Sequence, residues 1–128
     1  RRRRGFRRAS DLLVVRPSLR VGGGGVRGAL ARHLLGERID TRTADTLAVN
    51  VLGSFVLGLL VAVPVGDSLL LLFGTGFCGA FTTFSTFAFE TVRLYETGER
   101  RRAVATAALN LVGALAAVAL GTVVAGLL

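Results

Sequence analysis

The chain has 128 residues, of which 52% are hydrophobic, with a mean hydropathy of +0.61, and its apolar residues come in blocks. That pattern excludes a soluble domain built on one core and leaves room, at ~20 residues per span, for about four membrane-crossing helices. The net charge is +8, and all 16 basic residues are arginines that flank the apolar blocks without any nucleic-acid motif, so membrane-flanking charge is the reading and no nucleic-acid partner is expected.

Residues 1–20 hold eight arginines and one acid and read as a basic arm lying on anionic lipid headgroups. Leu12–Val15 is too short for a signal-peptide core. The chain opens without methionine, which reads as a trimmed or misassigned start. The remaining residues, 21–128, read as one four-span domain. Its first span is expected over about Leu19 to Leu35, with Gly24 and Gly28 spaced for close helix approach. Arg27 and Arg32 interrupt it, and a structural or vestibule role is expected for Arg32.

Gly36 to Thr46 is polar and reads as a loop, with Thr43 or Asp45 placed to cap the next helix. The second span is expected over Leu47 to Val63, stopping at Pro64. Asn50, Ser54 and Gly58 form one stripe on it, equally compatible with helix–helix adhesion and with an ion path. Pro64 to Ser68 reads as a turn. The third span, Leu69 to Tyr95, is longer than one crossing needs, and a break is expected at its mid-span glycines 74, 76 and 79. Arg93 to Arg102 reads as a charged loop. The fourth span, Ala103 to Leu128, carries a stripe of Thr106, Asn110, Gly113, Ala117 and Gly121. No internal repeat is visible, so any two-fold symmetry must come from a second subunit. Eight arginines on one expected face against six on the other is a weak orientation bias, compatible with insertion both ways.

The chemistry concentrates in Gly74 to Glu90. If Phe81 to Phe89 is helical, Phe81, Phe84 and Phe87 share one face, and Thr82, Ser85 and Thr86 another, with Thr83 beside Phe87. Phenyl edges carry the positive end of the ring quadrupole, and hydroxyls and carboxamides donate hydrogen bonds. Together they replace part of an anion's hydration shell without a fixed charge, while a loosened backbone offers carbonyls to a cation. The plainer alternative is lipid-facing or core rings and threonines bonded back to their own helix. Cys78 is the one cysteine, so no intrachain disulfide is possible. The lone His33 belongs to no catalytic set, and enzymatic chemistry is not expected.

Gly76-Phe-Cys-Gly-Ala-Phe-Thr-Thr-Phe-Ser-Thr-Phe87 resembles the signature of the Fluc (CrcB) fluoride channels. Val49-Asn-Val-Leu-Gly-Ser-Phe55 and Gly28-Ala-Leu-Ala-Arg32 are similar to that family's second- and first-span motifs, and the likeness covers about residues 22–125. The resemblance implies an all-α, multi-pass protein of the cell membrane with four spans, the third broken, assembled as an antiparallel dual-topology homodimer or as a heterodimer with a related chain. It implies passive export of fluoride and a structural sodium ion held by the backbone carbonyls of Gly79 and Thr82. It makes Phe84 and Phe87 pore-lining phenyls, Asn50 a pore donor, and Thr83 and Ser85 hydroxyls near the ion track. Asn110, a candidate donor to the ion pathway from the fourth span, stands where the family often has a serine, and Thr106 where it often has a tyrosine. The rival readings are an accessory subunit of a heterodimeric channel and a small proton-coupled multidrug transporter. The latter wants a first-span carboxylate, whereas Glu37 lies in the loop and Glu90 late in the third span.

Overall fold

The computed structural model describes the backbone of residues 2–39 and 41–128 and the side chains of 15–39, 41 and 43–128. The side chains of residues 1–14, expected on lipid headgroups, lie outside the described residues. Among the described residues every regular element is helical.

Helix α1, Arg2–Gly36, runs unbroken through the expected boundary at residues 20 and 21. Its 35 residues span about 52 Å, well beyond a hydrocarbon core of about 30 Å. Helix α2 is Arg42–Ala62. It starts earlier than expected: Thr41, not Thr43 or Asp45, stands at the cap position, and its side chain makes no capping bond. Val63 turns extended ahead of Pro64, whose ring disfavours a helical predecessor.

Asp67–Leu69, Leu70–Cys78 and Gly79–Phe81 then follow without a gap, the middle piece wound as a π-helix, and together form α3. Thr82 and Thr83 are extended, and helix α4, Phe84–Glu96, resumes beyond them. The loop expected from Arg93 to Arg102 shrinks to three residues. Gly98, at φ 87°, ends α4 in a Schellman turn, with Gly98 N–H bonded to Tyr95 O and Glu99 N–H to Leu94 O. Helix α5 is Arg100–Gly126.

The third span is therefore broken, but not at its glycines. Gly74, Gly76 and Gly79 lie within continuous winding, and the chain opens at Thr82 and Thr83 instead. The glycine without a side chain serves packing here. A Cβ on Gly76 would come within 2.5 Å of Val21 O, and one on Gly24 or Gly28 would overlap the backbone of Leu72 or Phe77. Gly58 and Gly121 make the same allowance between α2 and α5, against Val118 and Phe55. Two close helix pairs result, α1 with α3 and α2 with α5.

Among the described residues, three stretches are long and apolar enough to cross a membrane: Thr43–Ala62, Asp67–Glu96 and Arg100–Gly126. The span expected at Leu19 to Leu35 is helical but is not among them, because Arg20, Arg27, Arg32 and the glycine run dilute its apolar character. Large apolar side chains such as Leu111, Val112 and Leu115 face outward, as lipid allows.

Gly28→Leu should prise α1 from α3, because the Phe77 backbone cannot yield as a flexible side chain would. We expect a lowered melting temperature in detergent, whereas the same change at Gly22, which has open space around it, should leave melting unaltered. Equal melting of the two variants would show that the seam does not depend on contact at Gly28.

Candidate functional site

An interrupted helix inside a membrane strands backbone groups that have no water to turn to. Here α2 supplies the replacement. Asn50 Oδ1 accepts from Thr83 N–H at 2.8 Å, and Asn50 Nδ2 donates to Thr83 O at 3.2 Å. One carboxamide thus stands in for a peptide partner on both sides of a single residue. Asn50 Nδ2 also donates to Asn110 Oδ1 at 3.0 Å, and Asn110 Nδ2 is tied to Thr106 O at 3.1 Å on its own helix. Asn110 and Thr106 are both buried, so α5 holds Asn50 in place from behind.

Thr83 ends one structure and begins the next. Its Oγ1 accepts from Thr86 N–H at 3.2 Å and caps α4. The same hydroxyl lies 3.0 Å from Thr86 Oγ1, to which it donates, and 3.4 Å from Ser85 Oγ. Thr82 behaves differently, its hydroxyl bonding back to Cys78 O at 2.9 Å. The back-bonding alternative thus holds for Thr82 and fails for Thr83.

The break presents two opposite polarities. No hydrogen bond among the described residues reaches the carbonyl of Gly79 or Thr82. These belong to the negative end of α3 and are oxygen donors suited to a hard cation. The first amides of α4 form the positive end of the other half-helix, suited to an anion. Asn50, Gly79, Thr82, Thr83 and Phe84 line one groove of about 460 Å³, together with Ser54 and Thr75. Ser85 joins it through Thr83, and Asn110 stands behind Asn50.

The phenyl face differs from expectation. Because the helix breaks between them, Phe81 does not share a face with Phe84 and Phe87. Phe81 is buried and stacked on Phe77 with centroids 5.5 Å apart. Phe84 is 79% exposed and meets Phe87 at 5.7 Å in a tilted pair.

Sequence reasoning missed one partnership. Arg32 Nη2 donates to Thr86 Oγ1 at 3.0 Å, across from α1 to α4. Thr86 Oγ1 accepts from both Arg32 and Thr83, which leaves its own proton to offer. Arg32 lines a second cavity of about 530 Å³ with His33, Glu37 and Asp45. An arginine without a carboxylate partner in an apolar helix is the signal that pointed there. Glu90, set aside in the sequence, is buried on α4 with neither carboxylate oxygen hydrogen-bonded.

Fold and site define a small multi-pass protein of the cell membrane whose interrupted helix borders an uncharged groove, its walls mainly apolar with hydroxyls and one carboxamide set among them. The model of the CrcB-like, camphor-resistance (CrcB) family matches residues 19–122. The chain belongs to the CrcB family. It is 52% identical over 103 residues to a protein of Haloarcula marismortui named fluoride-specific ion channel FluC 2, covering 79% of this chain and 83% of that one. It is 45% identical over 109 residues to a protein of the same name from Natronomonas pharaonis, covering 85% and 94%. A Methanocaldococcus jannaschii protein named fluoride-specific ion channel FluC is 40% identical over 119 residues, covering 88% and 96%.

Asn50→Ala should cost roughly 1–3 kcal/mol of stability, the range for a buried N–H left unpaired. Asn110→Ala should cost less, and the double variant less than the sum, since Asn110 acts through Asn50. Chemical unfolding of the four proteins in detergent measures the cycle. Strict additivity would mean that the two carboxamides do not work as a unit.

Proposed function

We propose that this chain forms a fluoride-selective channel that lets cytoplasmic fluoride leave the cell passively. The observation that carries the reading is the Asn50-clamped break, where hydroxyls, half-helix amides and the exposed Phe84 gather without a charged side chain in the groove. Likeness to proteins named fluoride-specific channels supplies the ion. In this reading α1 is the fourth crossing element, lying along α3.

Two copies make the unit, antiparallel and inserted in both orientations, each covering the other's groove. The exposure of Phe84 and the openness of the groove in a single chain support this, as does the absence of an internal repeat. The copies are a homodimer; a heterodimer with a related chain is the variant that reconstitution separates. Fluoride passes beside Asn50 and Thr83, whose own protons hold the break in register, sheds part of its hydration to the weakly engaged Ser85 hydroxyl, and passes the edges of Phe84 and Phe87. Asn110 keeps the Asn50 amide in register. The carbonyls of Gly79 and Thr82 fit a sodium ion, being neutral oxygens freed by the break. When bound, that ion would supply fixed positive charge that braces the two copies.

Liposomes holding the purified chain alone should release trapped fluoride and retain chloride. Release that appears only with a companion chain would replace the homodimer with the heterodimer, and no release under any pairing would end the channel reading. Phe84→Ile or Phe87→Ile should slow release roughly tenfold or more, about 1.4 kcal/mol on the barrier, with dimer assembly preserved. Unchanged release in both variants would take the phenyls out of the path.

Exchanging sodium for a large organic cation should shift the chain from dimer toward monomer in size-exclusion chromatography. Dimers indifferent to sodium would remove the proposed role of Gly79 and Thr82.

A further inference from the structure

Among the charged features of the described molecule that the groove and its mouth leave unused is a row of arginines on the outer face of α1. Arg16, Arg20 and Arg27 are all exposed. At 3.6 residues per turn they fall within about 40° of one another around the helix and extend over about 16 Å of its length. Among the described residues Arg16 and Arg20 make no hydrogen bond or ion pair, and Arg27 Nη1 donates only to Gly23 O of its own helix, at 3.2 Å. Among the described residues no carboxylate offsets any of the three.

Their depth follows from the α1–α3 seam. Gly24 meets α3 at Leu72 and Gly28 meets it at Phe77, inside the crossing stretch Asp67–Glu96. The Arg27 guanidinium bends back to the level of Gly23, about 8 Å along α3 from Asp67. That is the depth at which headgroups give way to acyl chains. A guanidinium there needs a counter-ion that the described residues do not provide. Gly22 and Gly23 carry no side chain to cover it, and Gly22 has open space around it.

We propose that Arg16, Arg20 and Arg27 bind the phosphate of an anionic phospholipid on the membrane face that holds the turn between α2 and α3. Guanidinium forks match phosphate oxygens bidentately. A zwitterionic lipid would bring its own cation into a row of three positive charges, whereas a phosphatidylglycerol headgroup leaves its negative charge uncompensated. The row thus discriminates between lipids by charge. It does not depend on the channel reading, since no conducting residue takes part.

Thermal unfolding of the purified full chain in neutral detergent tests it. Added phosphatidylglycerol should raise the melting temperature by several degrees, while phosphatidylcholine and inorganic phosphate should not. Arg20→Gln with Arg27→Gln should abolish the shift and reduce the phosphatidylglycerol that co-purifies. Arg27→Gln alone, which removes only a bond to its own helix, should shrink it. Arg38→Gln with Arg101→Gln removes the same charge elsewhere and should keep the shift. A shift that survives loss of the row, is matched by phosphatidylcholine or inorganic phosphate, or disappears in the control pair overturns the proposal, as does the absence of any shift.

Discussion

The structure depends on one carboxamide meeting one peptide unit. A helix can be opened in hydrocarbon only where something else satisfies the freed backbone, and Asn50 does this for both the N–H and the C=O of Thr83. An unpaired buried amide costs a few kcal/mol, comparable to a large share of a small protein's net stability. The clamp is therefore a condition for the break and not an ornament upon it. Its accuracy rests on α5, because a lone asparagine rotates freely, while one held by Asn110 does not.

That accuracy reaches back to the glycines. Asn50 must sit within hydrogen-bond distance of a residue on another helix, and helix separation is set by what lies between the backbones. At Gly58 and Gly121 nothing does, so α2 and α5 approach to backbone contact and Asn110 comes within reach of Asn50. At Gly24, Gly28 and Gly76 the same close approach presses α1 onto α3 and brings Arg32 to Thr86. Small residues that do not themselves line the groove thereby decide whether its polar groups meet.

Much of this was legible in the chain, and the limits have physical causes. The stripe carrying Asn50 followed from helical periodicity, and the polar density of Gly74 to Glu90 marked the groove. The location of the break did not follow. Glycine permits unwinding but does not require it, and π-winding lets Leu70–Cys78 remain helical. Thr82 and Thr83 open because a partner waits on α2, and local sequence carries no trace of that partner. Phe81 was misplaced for the same reason, since the shared face assumed unbroken winding. The Arg32–Thr86 bond joins residues 54 apart, and only the α1–α3 seam makes them neighbours.

The placement of charge completes the argument. At an effective dielectric constant of about 20, a guanidinium 4 Å from an anion contributes about 4 kcal/mol, enough to slow its departure almost a thousandfold. A conducting path needs sites that an ion enters readily and leaves readily. Arg32 meets that requirement by standing in the neighbouring cavity, outside the groove of Asn50 and Phe84, with one of its donors on Thr86 Oγ1. Its charge polarises a hydroxyl whose proton remains free, and hydrogen bonds in series strengthen one another. In the proposed channel an anion would meet that strengthened hydroxyl in place of the full charge, which reconciles an arginine in the membrane with a site weak enough to release what it binds.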